Sequence, residues 1–443
     1  MKVVIVGAGE VGSTIARSLA GSHDIIVIDV DPERVDALTY ELDVLALMGD
    51  GTDAETLREA GVPSADLFIA STDRDETNLV ACGTANALGS PFTIARVKRL
   101  QFFDTWREHD TAFGVDFMVS TDLLTARAIV DVIGLPTARA VDTFADGAVQ
   151  MAEFEIPADS PIADLSVAEA DRFETLTFAA IIRDGEVGLP TGQTAIKAAD
   201  DVVVIGTPES IRRFAADIAP KQDTPTEVVI AGGSAIGFQT ARLLEEQGFR
   251  PRLIERDSDR AQGLAEKLQN TVVLQSDATD LDFLEREHVG RADVFIAALD
   301  NDQQNLLATL LAHRLGANRT VAVVDTVAFS DLFEAVGVDV AVSPREATAE
   351  EITRFTRSRR AENVAIIEQD RAEVLEFEVD AESPAANRQI RDIAGDLPGG
   401  VVVGALTRNN DFVTPRGDTV IQPGDHVVVF TEADTVEAVL EMF

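Results

Sequence analysis

The chain contains itself twice. Ala65-Asp66-Leu67-Phe68-Ile69-Ala70-Ser71-Thr72-Asp73-Arg74-Asp75-Glu76-Thr77-Asn78 aligns with Ala292-Asp293-Val294-Phe295-Ile296-Ala297-Ala298-Leu299-Asp300-Asn301-Asp302-Gln303-Gln304-Asn305, and eight of the fourteen positions are identical. Shared composition does not produce that match, so one folding unit recurs at a spacing of about 225 residues. Whatever the first copy folds into, the second must fold into as well.

The first copy opens on Val3 to Val6, an apolar β-branched run with the length of a buried parallel strand. Gly7, Gly9 and Gly12 follow in the spacing Gly-x-Gly-x-x-Gly. In such a motif Gly7 permits the tight turn, Gly9 lets backbone approach a pyrophosphate, and Gly12 lets the next helix pack on the strand. The amides of Glu10, Val11 and Gly12 then aim the partial positive charge of a helix start at an anion. A helix over residues 13–20 puts Ile15, Ala16 and Leu19 on its inner face. Ile25 to Ile28 form a second strand ending at Asp29, 17 residues beyond Gly12, where a dinucleotide-binding fold places the acid that bonds ribose hydroxyls. The plainer alternative makes Asp29 a polar residue at a strand end. An acid there disfavours a 2′-phosphate, which puts NAD ahead of NADP. Asp31 and Pro32 supply the cap and first position of the next helix.

Strands at 44–48, 67–70, 92–97 and 117–119 continue the alternation with helices, which predicts an α/β doubly wound parallel sheet. Such sheets bind ligands beyond the carboxyl ends of their strands. Asp29, Asp50, Thr72, Asp73 and Arg96 all fall there, Asp50 suited to the adenine end of a ligand and Arg96 to a phosphate. In the second copy Val228 to Ala231 repeats the strand, and Gly232-Gly233-Ser234-Ala235-Ile236-Gly237 repeats the turn. Glu255, Asp277 and Asp300 take the places of Asp29, Asp50 and Asp73. Two changes fall where a ligand would lie: Ser234 replaces Gly9, and Val323 replaces Arg96. Gly232, Gly233, Gly237, Glu255 and Asp277 thus mark a second candidate site. It binds a nucleotide more weakly, takes a smaller adenosine compound, or is vestigial.

Smaller units repeat too. Residues 138–219 and 361–443 each hold alternating strands and a Pro-x-Gly-x-Thr turn, at Pro190 to Thr194 and Pro415 to Thr419. An acid and a Val-Val-Val strand follow each turn. The expected order is a dinucleotide-binding domain at 1–133, a small α+β domain at 138–219, a second Rossmann-like domain at 225–347 and a second small α+β domain at 361–443. Lys221 to Pro225 reads as the polar linker between the halves.

Composition narrows the function. With 77 acids against 37 bases the net charge is −40, which disfavours nucleic acid and anionic bilayers as general partners. The acids are scattered along the chain and Lys is scarce beside Arg, the balance expected of a halophilic archaeon, where concentrated salt screens acid–acid repulsion. No apolar run reaches the ~18 residues of a membrane span, and strand residues begin where a signal peptide would be. Cys82 is the sole cysteine, which excludes an internal disulfide and fits a cytosolic location. Hydride transfer would need a general acid or base. Tyr40 has Val44 four residues on, so there is no Tyr-x-x-x-Lys pair, and the five histidines share no spacing. A non-enzymatic nucleotide-binding protein is the expectation. An NAD-dependent oxidoreductase with substrate held by the small domains is the alternative. No spacing of acids singles out a metal cage.

The whole layout resembles the TrkA family, built from tandem RCK (regulator of K⁺ conductance) modules. The marks are Gly7-x-Gly9-x-x-Gly12 with Asp29, Gly49-Asp50, Thr72-Asp73-x-Asp75-Glu76-x-Asn78, and the two Pro-x-Gly-x-Thr turns. The resemblance implies a cytoplasmic regulatory subunit of Trk potassium uptake, a homo-oligomeric ring peripheral to the inner face of the cell membrane. Its partner would be a TrkH-like membrane potassium transporter. It implies NAD(H), or alternatively ATP or ADP, on Gly7, Gly9, Gly12 and Asp29, completed by Asp50, Thr72, Asp73 and Arg96. The predicted helix at 121–133, apolar at Leu124, Ile129, Val130 and Ile133, serves either as an assembly surface between folds or as packing for its own sheet. A further alternative gives the small domains a ligand such as a cyclic dinucleotide or an ion.

Overall fold

A computed structural model describes the chain except residues 22, 90, 110–111, 136, 184, 220–226, 358–362, 368–370 and 410. The expected linker at Lys221 to Pro225 lies outside the described residues.

The first domain runs β1 (Lys2–Val6), α1 (Glu10–Leu19), β2 (Asp24–Asp29), α2 (Pro32–Glu41), β3 (Leu45–Met48), α3 (Ala54–Glu59), β4 (Leu67–Ala70), α4 (Asp75–Gly89), β5 (Phe92–Val97), α5 (Leu100–Glu108), β6 (Phe117–Ser120) and α6 (Thr121–Ile133). Its strands lie in the order β3-β2-β1-β4-β5-β6, and every pair is parallel. β1 is central because Val3, Val4 and Ile5 are fully buried, each such burial contributing about 1.5–3 kcal/mol. Strand order reverses between β1 and β4, opening a crevice at the carboxyl edge. α1 begins at Glu10, earlier than apolar spacing alone suggests, because extended Gly9 (φ −73°, ψ −176°) acts as its N-cap.

The first small domain follows with β7 (Ala138–Phe144), β8 (Val149–Glu155), α7 (Val167–Ala170), β9 (Leu176–Arg183), β10 (Glu186–Gly188), β11 (Asp201–Gly206) and α8 (Pro208–Ile218). Its antiparallel sheet has the order β10-β9-β11-β8-β7.

The second Rossmann-like domain comprises β12 (Val228–Ala231), α9 (Ala235–Glu246), β13 (Arg252–Glu255), α10 (Ser258–Lys267), β14 (Val272–Gln275), α11 (Leu281–Arg286), β15 (Val294–Ala297), α12 (Asp302–Leu315), β16 (Thr320–Val323), α13 (Ser330–Ala335), β17 (Val340–Val342) and α14 (Pro344–Arg357). The parallel order β14-β13-β12-β15-β16-β17 reproduces the first sheet strand for strand. The chain ends in β18 (Asn363–Ile367), β19 (Ala372–Glu378), α15 (Ile390–Asp396), β20 (Val401–Arg408), β21 (Asp411–Val413), β22 (His426–Glu432) and α16 (Val436–Met442), with antiparallel order β18-β19-β22-β20-β21. The architecture is α/β, two Rossmann-like sheets alternating with two small antiparallel sheets.

The chain forms two compact units, Met1–Val130 with Pro225–Thr353, and Asp131–Thr224 with Arg354–Phe443. Within the first unit, the hydroxyl of Thr121 at the start of α6 lies 3.0 Å from that of Thr348 in α14, so the last helix of one repeat meets the last helix of the other. Ile129, Val130 and Ile133 of α6 are buried within the chain, and Leu124 is half-buried.

Within the second unit the two small sheets share one apolar core. It joins Phe144, Met151 and Ile205 to Val374, Val428 and Phe430. The acid after each Pro-x-Gly-x-Thr turn has a structural task. Asp200 and Asp425, both 1% exposed, receive two-pronged bonds from Arg183 and Arg408, every one of them 2.7 Å. Each acid also accepts the backbone amide three residues earlier, from Lys197 and Gln422. Paired in this way, a buried carboxylate closes its turn without a bare charge.

Candidate functional site

The first glycine turn leaves a helix start unsatisfied. No side chain caps α1 at Gly9, so the amides of its first turn, including those of Glu10, Val11 and Gly12, face the crevice with the positive end of the helix. The glycines have separate reasons to be glycine. Gly7 has φ +104°, and a Cβ on Gly12 would sit 1.8 Å from the Gly7 carbonyl oxygen. A Cβ on Gly9 meets nothing closer than Arg34 Nη1 at 3.6 Å. Packing therefore does not demand a glycine at Gly9, and the space beside its backbone is open to a phosphate group. These residues fit a dinucleotide.

Asp29, 8% exposed at the end of β2, organises the turn. Its Oδ2 accepts the Ala8 amide at 2.6 Å and its Oδ1 the Asp31 amide at 2.9 Å, while Arg34 Nη1 lies 4.0 Å away. A carboxylate has about four acceptor positions, which leaves capacity for ribose hydroxyls. Across the switch point, fully buried Asn78 clamps two strand ends. Its Oδ1 accepts the Thr72 amide (2.9 Å) and hydroxyl (2.6 Å), and its Nδ2 donates to the Arg96 carbonyl at 2.8 Å. Arg96 itself is only 3% exposed; Nε donates to Thr121 Oγ1 at 3.1 Å and Nη1 to the Ser71 carbonyl and to Asp73 Oδ1 at 3.2 Å. Against the upward push of partial burial, Arg96, Lys98 and Arg345 hold the Asp73 carboxyl below the usual range. Asp50 is exposed and turned into its own loop, its Oδ1 accepting from the amide (2.9 Å) and hydroxyl (2.8 Å) of Thr52. The structure thus gathers Gly7, Gly9, Glu10, Val11, Gly12 and Asp29 at one turn. It links Thr72, Asp73 and Arg96 in a second cluster, and leaves Asp50 in an Asx-turn.

The second copy keeps this frame and alters its surface. Glu255 accepts the Gly233 amide at 2.9 Å and the Asp257 amide at 2.7 Å, as Asp29 does for its turn. Asn305 donates to the Val323 carbonyl at 2.8 Å, and Asp277 accepts from the amide and hydroxyl of Thr279. Those two bonds, the hydroxyl first, hold the Asp277 carboxyl below its ordinary value. Gly232 has φ +106°, a Cβ on Gly237 would lie 2.1 Å from the Gly232 oxygen, and one on Gly233 would meet Leu264 at 2.3 Å. Ser234 is the change that matters: its hydroxyl accepts the Gly237 amide at 3.2 Å and donates to the Ala298 carbonyl at 2.7 Å. This helix caps itself. A cleft of about 410 Å³ remains beside it, lined among others by Gly232, Ser234, Glu255, Arg256, Asp277 and Asp300.

Two features escaped the sequence. Arg34 and Arg260 occupy matching places beside Asp29 and Glu255, at 4.0 and 3.5 Å, each three residues after a helix-capping aspartate. The shared spacing in both repeats was the available sign. Arg345, which approaches the first turn from the second domain, had none. Among the described residues no group of three or more His, Cys, Asp or Glu is placed to hold a metal ion, and no helix is long and apolar enough to cross a membrane.

The TrkA-N domain model matches residues 3–121 and 228–344, and the TrkA-C domain model matches 151–219 and 374–443. The chain belongs to the TrkA family. A Trk system potassium uptake protein TrkA homolog of Methanosarcina mazei is 35% identical over the full length of both chains. The TrkA protein of Haemophilus influenzae is 31% identical, over 97% of this chain and 95% of its own. Among solved structures, the GsuK channel bound to NAD covers 99% of this TrkA-family chain and 78% of its own, with a TM-score of 0.63 and 21% identity. GsuK bound to ADP covers 81% and 69%, with a TM-score of 0.50 and 18% identity. Likeness at these identities concerns the fold. The relatives named are potassium-uptake proteins, and the structural neighbours are channels.

Proposed function

We propose that this chain is a nucleotide-sensing regulatory subunit that assembles as a homo-oligomeric ring on the cytoplasmic face of a TrkH-like membrane potassium transporter and gates K⁺ uptake. The observation that carries this is the uncapped start of α1 beside Asp29, a preformed seat for an adenine nucleotide. NAD(H) fits it, and so do ADP and ATP; the nucleotide supplies negative charge and ribose hydroxyls and undergoes no reaction. Gly9 admits the phosphates to the α1 amides, Asp29 receives ribose hydroxyls, and the Thr72, Asp73 and Arg96 cluster borders the far side of the crevice. The bound and free chains must differ in their contacts for the ligand to shift a ring between states. The GsuK channel bound to NAD and GsuK bound to ADP, which share the fold, support this choice of ligands. In the second domain Ser234 occupies the helix start, so a ligand there would rely on the Arg256-lined cleft.

Equilibrium titration of the full chain with NAD, NADH, ATP and ADP tests the seat, and co-purification with a potassium transporter with and without each nucleotide tests the role. Binding of at least one nucleotide that alters transporter-dependent K⁺ flux is expected. Turnover of NADH with a small carbonyl compound would overturn the regulatory reading.

A further inference from the structure

Arg345 belongs to the second Rossmann-like domain, in the first turn of α14, yet its guanidinium lies at the glycine turn of the first. Nη1 bonds the carboxylate of Glu10, the first residue of α1, and Nη2 lies 2.9 Å from Asp325 Oδ2 in the loop after β16. Its side chain is 24% exposed, so solvent can still reach the pair. Asp73, at the other cluster of the same site, also feels its charge. Glu10 is therefore an acid seated where a helix start favours an anion, with an arginine from another domain completing the pair. A phosphate at that position offers Arg345 a charged oxygen acceptor in place of the Glu10 carboxylate, with more charge.

The equivalent place in the second copy has no such pair. Ala235 stands where Glu10 stands, and Asp122 of the other domain lies at the same cavity. The two line a cavity of about 300 Å³ together with Lys98, Arg99 and Gln239. The first turn thus meets an arginine carried by the second domain, whereas the second has no acid at the matching helix position and meets a mixed-charge lining.

We infer that Arg345 is a specificity residue for the first nucleotide site, exchanging Glu10 for a terminal phosphate and so favouring ATP and ADP over NAD, whose two phosphates are both esterified. This rests on the first domain being an adenine-nucleotide site. The exchange also ties ligand identity to the second domain, because Arg345 is carried by α14.

Titrating the full chain with ATP, ADP and NAD at one fixed salt concentration, as wild type, Arg345→Gln and Glu10→Gln, tests it. Wild type should bind ATP more tightly than NAD. Arg345→Gln should weaken ATP by about tenfold or more, the loss expected of one charge-assisted pair, while NAD changes by less than about threefold. Glu10→Gln, which frees Arg345 of its resident acid, should tighten ATP. Equal losses for all three ligands in Arg345→Gln would give the residue a general structural role and overturn the inference. So would an unchanged ATP-to-NAD ratio in Glu10→Gln, which remains informative if the arginine variant does not fold. A wild-type chain that binds none of the three would instead bring down the nucleotide-site reading beneath it.

Discussion

The two glycine turns share a backbone and part company at the atoms a ligand would touch. In both, an acid at the end of the second strand holds the turn amide, an asparagine clamps two strand ends, and a final glycine lets the helix close on the turn. The first turn leaves its helix start open at Gly9 and faces Arg345. The second closes its helix start with Ser234 and borders a cavity lined by Lys98, Arg99 and Asp122. After a duplication, frame positions are held by contacts that no side chain can relax. Positions facing the crevice, such as Gly9, have room to change.

The largest expected effect tests the shared frame. Gly12→Ala and Gly237→Ala each drive a Cβ into backbone, at 1.8 and 2.1 Å from a carbonyl oxygen, and overpacking costs about 1–3 kcal/mol, occasionally more. Both variants should melt well below wild type by circular dichroism; a wild-type melting temperature in either one breaks the claim that the turns are one frame. Smaller effects should follow from exchanging the divergent residues. Gly9→Ser places a hydroxyl where it can cap α1, and should weaken nucleotide binding about tenfold with little change in melting. Ser234→Gly should cost only a few tenths of a kcal/mol. Nucleotide affinity in Gly9→Ser equal to wild type would mean that the ligand does not use this helix start.

Asp122, at the cavity beside the second turn, makes stability depend on pH. Burial first, then the nearby Asp75, raises Asp122 from 3.8 to about 6, with Lys98 and Arg96 opposing. The folded chain thus keeps a proton that the unfolded chain releases, and this contribution to stability is lost as pH rises through about 6. Asp122→Asn should therefore flatten the denaturation midpoint between pH 4 and 6. It should also leave the chain modestly more stable than wild type at pH 7. A midpoint lowered equally at all pH values would argue against a buried protonated acid. Least discriminating between the domains is salt. Molar KCl, by screening the surface acids that make the net charge −40, should raise the melting temperature of wild type and variants alike. A melting temperature that does not rise with molar KCl would count against this screening of surface acids.

Much of the frame was legible because it is local. The Val3 to Val6 run, the glycine spacing and Asp29 all lie within one strand–turn–helix–strand stretch, so periodicity and spacing carry them. The repeat then extended the reading to the second domain without new evidence. The turn acids Asp200 and Asp425 were visible as a pattern, but their task was not. A bond to Arg183 or Arg408 joins residues 17 apart through a turn whose geometry the pattern does not state. Arg96 read as a free phosphate partner, whereas the fold buries it against Thr121, Ser71 and Asp73.

By itself the sequence determined the α/β repeat, the two glycine turns and the difference between Gly9 and Ser234, because strand burial, turn sterics and helix capping act over a few residues. Only the tertiary structure decided what faces those turns. Arg345 meets Glu10 across 335 positions of chain, and Asp122 comes to line a cavity with Ala235. Nothing local requires either meeting. They follow from the packing of one repeat on the other, which no local stretch of sequence specifies.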